Sequence, residues 1–251
     1  MENRLNCKGV NNNGEEMVII KYINSKNIDV YFPKYNYINK NKTFPNFKKG
    51  NIRCPYTKNV YGVGYLGDGE YKTKENGKIT RVYDVWRNMI RRCYSKEDKK
   101  SFMSYKAVTV CEEWHNFQNF AKWYEENYYE VDGERTELDK DILIKGSKIY
   151  SPETCCFVTS GINNIFTKSN KIRGVYPIGV TCDSNNGKFI STCKTNRESD
   201  YLGYFDTVEE AFSTYKQAKE EYIKQVADEY KDRIPKRLYD ALYKYKVDIT
   251  D

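Results

Sequence analysis

Few residues of this sequence suit acid–base or metal chemistry at neutral pH. His115 is its single histidine, and it follows Trp114 in a segment with helical spacing. A lone histidine beside an aromatic stripe is more often a boundary residue of a helix than a catalyst, and both roles stay open. The eight cysteines include one adjacent pair, Cys155 and Cys156, and no Cys-x-x-Cys motif. This spacing disfavours a zinc site and predicts structural thiols.

Two acids form a close pair in the middle of the chain. Asp139 and Asp141 are separated by one residue in a strand-like segment, so their side chains share one face. In the structural interpretation they are solvated or pair with Lys140 and Arg135. In the functional interpretation they belong to a reactive site.

Basic charge is concentrated near the start of the sequence. Residues 1–80 contain 14 Lys and Arg against 7 Asp and Glu, whereas the remaining residues balance. Such an excess is typical of a surface that faces phosphates, although a solvated face gives the same count. Lys48, Lys49 and Arg53 lie there among aromatic rings, which suits contact with a nucleic-acid backbone. The alternative is that the rings are core and the lysines belong to loops.

Hydrophobic spacing predicts the elements that position these residues. Residues 17–23 and 28–32 are rich in β-branched and aromatic residues and flank a polar turn, so they are predicted strands of a small β-module. A helix capped by Thr80 is expected next. Its apolar stripe predicts one buried face, and Arg87 and Arg91 lie on the other face.

The rest of the chain alternates between helices and short strands. A helix is predicted over 113–126, and a hairpin over 136–160 with a helix that starts near Ser160. A meander of three strands follows over 178–205. A long helix then begins with a capping box formed by Thr207 and Glu210.

One unusual order of motifs runs through residues 178–226, where two strands are followed by Leu-Gly-x-Phe-x-Thr and then a helix. The residues that carry it are Gly179, Val180, Lys188, Phe189, Leu202, Gly203, Phe205, Thr207, Glu209, Glu210, Ala211 and Tyr215. This segment resembles the plant ethylene-response-factor (Apetala-type) DNA-binding domain. The resemblance implies that the sheet lies in the major groove of double-stranded DNA, where each base pair shows a distinct edge.

The resemblance also implies which residues contact DNA, namely those facing away from the helix. They are Lys188, Lys194, Thr195, Arg197 and Tyr201. The sequence departs from the family in one respect. Strands of that family carry several arginines, whereas this segment has one, with Glu198 and Asp200 nearby.

A second pattern occupies residues 80–168. Its residues are Tyr83, Trp86, Met89, Arg92, Cys93, Tyr94, Val110, Cys111, Glu113, Trp114, Phe120, Leu138, Asp139, Tyr150, Ser151, Pro152, Glu153, Cys155, Val158 and Thr159. This pattern resembles phage His-Asn-His (HNH) homing endonucleases. Many members of that class carry an ethylene-response-factor-like domain directly after the nuclease unit, which is the order seen in this sequence.

The nuclease resemblance implies a β-hairpin and helix around one divalent metal, with a histidine at the end of the first strand that deprotonates water. That strand reads Leu-Asp-Lys-Asp-Ile here and contains no histidine. The resemblance leaves Asp139 and Asp141 as ligands of Mg²⁺ or another divalent cation, Asn163 as the helix ligand and His115 as a substitute base. A carboxylate near pKa ~4 is a weak base unless burial raises its pKa.

These observations predict a modular α+β protein. The expected modules are a small basic β-rich module over 1–75, an HNH-like ββα-metal unit with flanking helices over 76–170, and a DNA-binding domain of three strands plus helix over 171–251. The start of the sequence lacks an apolar signal-peptide core, and no run of about 18 apolar residues occurs, so a cytoplasmic location without membrane contact is expected.

Three functions follow from the sequence. The first is a DNA-binding protein of phage or mobile-element type, derived from an HNH homing endonuclease, with cleavage weak or lost. The second is an active metal-dependent nicking endonuclease. The third is a phage effector that binds a host protein, because thin tyrosine-rich modules also suit protein interfaces. The sequence gives no oligomeric state.

Overall fold

The computed structural model describes residues 4–96, 107–166, 175–195 and 198–251, and it confirms a mixed α+β class. The chain divides into two compact units, unit 1 (Met1–Glu126) and unit 2 (Asn127–Asp251). The finer division into three modules stays a prediction. In the described ranges no helix has the length and apolar character needed to cross a membrane.

Unit 1 begins with a four-stranded antiparallel sheet in the order β1-β2-β3-β4. Its strands are β1 (Lys8–Val10), β2 (Glu16–Asn24), β3 (Asn27–Phe32) and β4 (Tyr37–Lys42), and helix α1 (Phe44–Lys48) follows. The predicted strands at 17–23 and 28–32 are confirmed as β2 and β3. Alternate residues of β3, namely Ile28, Val30 and Phe32, are fully buried and form a core with Phe47 of α1.

The second part of unit 1 packs two helices through aromatic rings. It contains the hairpin β5 (Lys74–Glu75) and β6 (Lys78–Ile79), then α2 (Arg81–Tyr94), the strand β7 (Thr109–Val110) and α3 (Phe117–Asn127). Trp86 of α2 is fully buried, and its Nε1 donates to the carbonyl of Trp114 at 2.7 Å. A buried indole N–H needs such an acceptor, so this bond fixes α2 to the turn before α3.

Two local predictions for these helices are right in part. Thr80 is the N-cap residue of α2, but its hydroxyl donates to the carbonyl of Lys72 at 2.9 Å and makes no capping bond to the helix. Most of the helix predicted over 113–126 is α3, whereas its first residues lie in a short 3₁₀ turn, Glu112–His115. Asn116 separates them because its backbone is extended, at φ −84° and ψ 119°.

Unit 2 contains a ββα arrangement followed by a meander and two helices. Its elements are β8 (Thr136–Asp139), β9 (Ile149–Tyr150), β10 (Cys156–Thr159), α4 (Ser160–Ile165), β11 (Val180–Cys182), β12 (Phe189–Thr195), β13 (Glu198–Phe205), α5 (Val208–Tyr230) and α6 (Lys236–Tyr243). Strands β11, β12 and β13 form one antiparallel sheet. The predicted hairpin with a helix from Ser160, and the predicted meander, are confirmed.

Helix α5 connects the two hydrophobic cores of unit 2. Its capping box is confirmed, since Glu210 N–H donates to Thr207 Oγ1 at 3.2 Å and Thr207 N–H donates to Glu210 Oε2 at 3.3 Å. Phe212 and Tyr215, near its start, pack against the meander. Ile223 and Val226, further along, pack against β10, α4 and α6. A helix of 23 residues is about 34 Å long, which lets one element serve both cores.

Gly179 gives a test of this packing. Its φ is +79°, and a Cβ atom placed on it would lie 2.1 Å from Cδ2 of the Tyr215 ring. We expect Gly179→Ala to lower the free energy of unfolding by about 2–4 kcal/mol, because backbone strain and overpacking add. Gly187→Ala is the control, since its φ is +70° but nothing lies within 4 Å. Urea denaturation compares the two, and equal losses would contradict the close approach of Tyr215.

Candidate functional site

The ββα part of unit 2 is the first candidate site. Strands β8 and β10 pair antiparallel, with Asp139 opposite Cys156, and α4 begins directly after β10. Thr159 caps α4, since its hydroxyl accepts from the backbone N–H of Ile162 at 3.3 Å. Strand, strand and helix therefore follow one another as the nuclease resemblance implies, and Asp139 stands at the end of the first strand.

Asp139 is used by the loop that follows β8. Its Oδ1 accepts hydrogen bonds from the backbone N–H groups of Asp141 and Ile142, both at 2.8 Å. Burial raises the pKa of the Asp139 carboxyl, while these two bonds act in the opposite direction. A raised pKa is the change a carboxylate base needs. However, one of its two oxygens, Oδ1, already accepts hydrogen bonds from the loop.

Lys140 directly follows β8, the strand at whose end the resemblance places the catalytic histidine. Its side chain is 9 % exposed, and its Nζ donates to both carboxylate oxygens of Asp141, at 2.8 and 2.7 Å. The same Nζ donates to the carbonyl of Ser147 at 2.9 Å. The ammonium charge neutralises Asp141 and occupies both of its oxygens, so Asp141 is a poor ligand for a divalent cation. The structural interpretation of this acid, pairing with Lys140, is correct.

Asn163 lies on α4 and contacts a different acid. Its Nδ2 donates to Oε2 of Glu137 at 3.2 Å. Glu137 precedes Asp139 by two residues on β8, so the two acids share a strand face. Arg135 lies 3.6 Å from Glu137, so Glu137 is also engaged in an ion pair.

The proposed metal ligands do not form a metal site in this structure. Asp139 and Asp141 are joined by a backbone hydrogen bond, whereas Asn163 is bound to Glu137. Across the described ranges, no three His, Cys, Asp or Glu side chains come together as a metal would require. Both oxygens of Asp141 and Oδ1 of Asp139 are bound to protein groups, so this acid pair as arranged does not fit Mg²⁺. The eight cysteines are all free thiols.

His115 belongs to unit 1, whereas the other three proposed catalytic residues belong to unit 2. Its Nε2 lies 3.1 Å from the carbonyl of Val110, and its ring packs edge-on against Tyr94. Burial lowers the pKa of His115 below its usual value, partly offset by the hydrogen bond to Val110. His115 therefore has a structural contact that accounts for its position.

The basic residues of α1 and of the segment after it are the second candidate site. Lys48, Lys49 and Arg53 are exposed, and their side chains have no hydrogen-bond or ion-pair partner among the described residues. The nearby rings behave differently. Phe47 is buried in the core. Tyr37 and Tyr56 pack against that core, and the centroids of their two rings are 5.3 Å apart. The rings are core, as the alternative held, while the three cations remain available for contacts with an anion.

The helix arginines are more restricted. Arg87 of α2 pairs with Asp84 at 3.3 Å and is partly buried. Arg91, one turn further on, is also partly buried.

The sheet of unit 2 has one face that α5 does not cover. Cys193 points into the core, so its neighbours Thr192 and Lys194 face the other way. A bulge shifts the register between Ser191 and Thr192, which brings Tyr201 opposite Thr192. Because of this bulge Tyr201 and Tyr204, three residues apart, share the open face, and they are 59 % and 49 % exposed.

The other proposed DNA contacts of this sheet have partners or lie elsewhere. Lys188 forms an ion pair with Asp206 at 3.0 Å. The hydroxyl of Thr195 donates to Asp200. Arg197 lies outside the described residues. Lys194 and Tyr201 are therefore the proposed contacts that the open face presents.

Net charge separates the two units. Unit 1 contains 23 Lys and Arg against 14 Asp and Glu, whereas unit 2 contains 19 against 21. The positive potential that attracts a polyanion therefore arises in unit 1. The unit that carries the ββα arrangement and the open sheet is slightly acidic.

Sequence reasoning missed two groups of residues. Lys140 was noted only as a neighbour of the acid pair, although a lysine between two acids is a local signal for an ion pair. A cluster of four asparagines with Arg53 was missed as well. The run Asn11–Asn13 was visible in the sequence, but residues 51 and 53 come close only in the folded chain.

No protein-family model matches this chain, and no curated protein or solved structure matches it either. The two resemblances therefore stay predictions.

Asp139 gives a test of the ββα site. Its folded-state pKa is raised, so the folded chain loses stability as pH rises from the unperturbed value toward that pKa. Asn at this position keeps the oxygen that accepts two N–H groups and carries no charge. We expect Asp139→Asn to be at least as stable as the wild type at pH 7, with an advantage that shrinks as the pH is lowered.

Asp139→Ala is the matched control for that substitution. It leaves the N–H groups of Asp141 and Ile142 without their acceptor, which costs about 1–3 kcal/mol. Urea denaturation at pH 7 and pH 4.5 measures both variants. Equal destabilisation by Asn and Ala would contradict this account of Asp139. If Mg²⁺ stabilises the wild type but not Asp139→Asn, the carboxylate charge serves a metal.

Proposed function

We propose that this chain is a DNA-binding protein of phage or mobile-element type, derived from an HNH homing endonuclease, in which cleavage is weak or lost. In this proposal it is modular: a basic β-module, a degenerate ββα unit and a sheet-plus-helix DNA-binding domain. Double-stranded DNA is the partner. The proposal rests above all on the concentration of unpartnered positive charge in unit 1.

The charge of unit 1 supports binding to the DNA backbone. Lys48, Lys49 and Arg53 lie within six residues of one another, are exposed and have no partner in the described ranges. Lysine and arginine that are free in this way can release counterions from phosphates, which supplies most of the affinity of non-specific DNA binding. Arg87 and Arg91 are weaker candidates, since both are partly buried.

The open sheet of unit 2 supports a second contact with DNA. It presents Lys194 beside Tyr201, a polar and aromatic surface that suits the sugar and base edges of a groove. The acidic balance of unit 2 makes it a poor source of affinity. We therefore assign orientation to this sheet and affinity to unit 1.

Lys140 supports the loss of cleavage. A nuclease of this class needs a base that accepts a proton near neutral pH, and an ammonium ion bound to Asp141 and Ser147 cannot do so. The other elements of the unit, namely β8, β10 and α4, follow the order that the resemblance implies. A DNA-binding protein that has kept the nuclease scaffold and lost its chemistry accounts for both observations.

The active-nuclease alternative is tested by incubating the full chain with supercoiled plasmid and Mg²⁺ or Mn²⁺. We expect no conversion to relaxed circles above a protein-free control, because the proton acceptor and the metal ligands are absent or engaged. Gel electrophoresis measures the relaxed fraction. Nicking by the wild type that both Asp139→Ala and Asp141→Ala abolish would replace our proposal with the nicking endonuclease.

DNA binding is tested by its salt dependence. The double substitution Lys48→Gln, Lys49→Gln removes two phosphate contacts, and each contact contributes about 0.9 to the slope of log affinity against log salt concentration. We therefore expect a slope shallower by about 2 in fluorescence anisotropy with a duplex. The control is the double substitution Lys231→Gln, Lys244→Gln. It removes the same charge from exposed lysines of unit 2 and should leave the slope unchanged.

A wild type that does not bind the duplex, or binds it with a flat salt response, would contradict the proposal. Either result would favour the alternative of an effector that binds a host protein. Equal slopes for the two double variants would show that Lys48 and Lys49 make no phosphate contacts.

A further inference from the structure

A polar cavity of about 160 Å³ lies in unit 1 between the loop before β2 and the segment after α1. We call it the Asn/Arg pocket. Its lining consists of four asparagines, one glycine and one arginine: Asn11, Asn12, Asn13, Gly50, Asn51 and Arg53. A cavity of ~150 Å³ holds one aromatic ring such as benzene, so this pocket has the size of a single planar ring system.

The floor of the pocket is a rigid polar network. Asn11 is 4 % exposed, and its Oδ1 accepts from the backbone N–H groups of Asn13 and Glu15 at 2.9 and 3.0 Å. Its Nδ2 donates to Oε2 of Glu15 at 2.9 Å and to the carbonyl of Ile52 at 3.2 Å. All hydrogen-bonding groups of this side chain are used, so Asn11 fixes the two loops and is not itself available to a ligand.

The two walls are joined directly. Asn12 N–H donates to the carbonyl of Gly50 at 2.9 Å, and Asn12 Nδ2 donates to Oδ1 of Asn51 at 2.9 Å. Gly50 has φ +68°, and a Cβ atom placed on it would lie 2.7 Å from Oδ1 of Asn12. The walls approach this closely because residue 50 has no side chain. The pocket is therefore formed before any ligand arrives, which reduces the entropic cost of binding.

Several polar groups around the pocket remain unused. The side-chain amide of Asn13, the Nδ2 of Asn51, the Oδ1 of Asn12 and the guanidinium of Arg53 have no hydrogen-bond partner among the described residues. The pocket thus offers a planar cation, additional N–H donors and amide oxygens that accept. This mixed set suits a ligand that carries both acceptors and donors.

We propose that the Asn/Arg pocket binds a nucleobase from an unpaired or extruded nucleotide, and that guanine fits it best. Arg53 can donate its two parallel N–H groups to O6 and N7 of guanine, which is the commonest specific arginine contact with a base. The amide oxygens of Asn12 and Asn13 can accept from the N–H groups of the same base. This inference deepens the proposed function, on which it rests, and gives Arg53 a base contact in place of a phosphate contact.

The donor and acceptor balance favours a base over a phosphate. A phosphate presents acceptors alone, so the free amide oxygens of the pocket would find no partner and would face its negative charge. Guanine satisfies both kinds of group, because its O6 and N7 accept while its N1 and N2 groups donate from the adjoining edge. The cavity volume of about 160 Å³ is on the scale of one planar aromatic group, as a base requires.

Nuclear magnetic resonance titration of the full ¹⁵N-labelled chain tests this inference without DNA. The probes are dGMP, dAMP, dCMP, TMP and inorganic phosphate, and the readouts are the side-chain amide signals of Asn13 and Asn51 and the Nε signal of Arg53. We expect saturable shifts with dGMP, weaker binding of the other nucleotides by about fivefold or more, and no shifts with phosphate at equal concentration.

Arg53→Lys separates the fork of the guanidinium from its charge. A lysine can still attract a phosphate but cannot donate two parallel bonds, so the affinity for dGMP should fall about tenfold. Arg81→Lys makes the same exchange at an exposed position at the start of α2 and is the control, with unchanged affinity expected. Backbone spectra that match the wild type outside the pocket establish that each variant is folded.

Equal shifts with all four nucleotides and phosphate would overturn the base assignment and identify an anion site. No shift with any nucleotide would overturn the inference entirely. A pocket that binds dGMP in a chain that fails to bind duplex DNA would leave the nucleobase site standing and refute the proposed function. A chain that binds duplex DNA but responds to no nucleotide would refute the nucleobase site and leave the proposed function standing.

Discussion

An ammonium group withdrawn from water needs an opposite charge and further acceptors, and Lys140 obtains both at the end of β8. Its bonds to Asp141 and to the carbonyl of Ser147 set the course of the loop between β8 and β9. Asp139, next to it, completes that loop by accepting two backbone N–H groups. One cation therefore neutralises Asp141, while Asp139 anchors the loop that follows β8, so both acids have structural partners.

If unit 2 is a scaffold, affinity for a polyanion must come from elsewhere, and the charges agree with that division. Unit 1 carries the positive excess and has cations at 48, 49 and 53 that nothing in the described structure neutralises. Beside them lies a pocket that the network of Asn11 and Glu15 holds open. Backbone contact and base contact would thus lie within one loop region. Unit 2 would add the open face of its three-stranded sheet, where a bulge turns Tyr201 and Tyr204 to the same side.

Local signals in the sequence predicted much of the fold. The apolar alternation of β3 and the capping box of Thr207 and Glu210 depend on neighbours within a few residues, so they could be recognised without coordinates. The α+β class and the ββα order followed from the same signals. The site could not be predicted in this way. Asn11 reaches the carbonyl of Ile52 across 41 positions, and Asn163 reaches Glu137 across 26. The helix expected over 113–126 begins only at Phe117, because the extended backbone of Asn116 interrupts its helical spacing.

The claim that unit 1 binds DNA is tested most directly by hydrogen exchange of the full chain with and without a DNA duplex, read by mass spectrometry. Backbone amides that DNA covers exchange more slowly, so each protected peptide reports where the DNA lies. Our account predicts the strongest protection in peptides that cover residues 40–58, weaker protection over the sheet of β11, β12 and β13, and none over β8, β10 and α4. Protection centred on the ββα elements with residues 40–58 unchanged, or no protection anywhere, would contradict it.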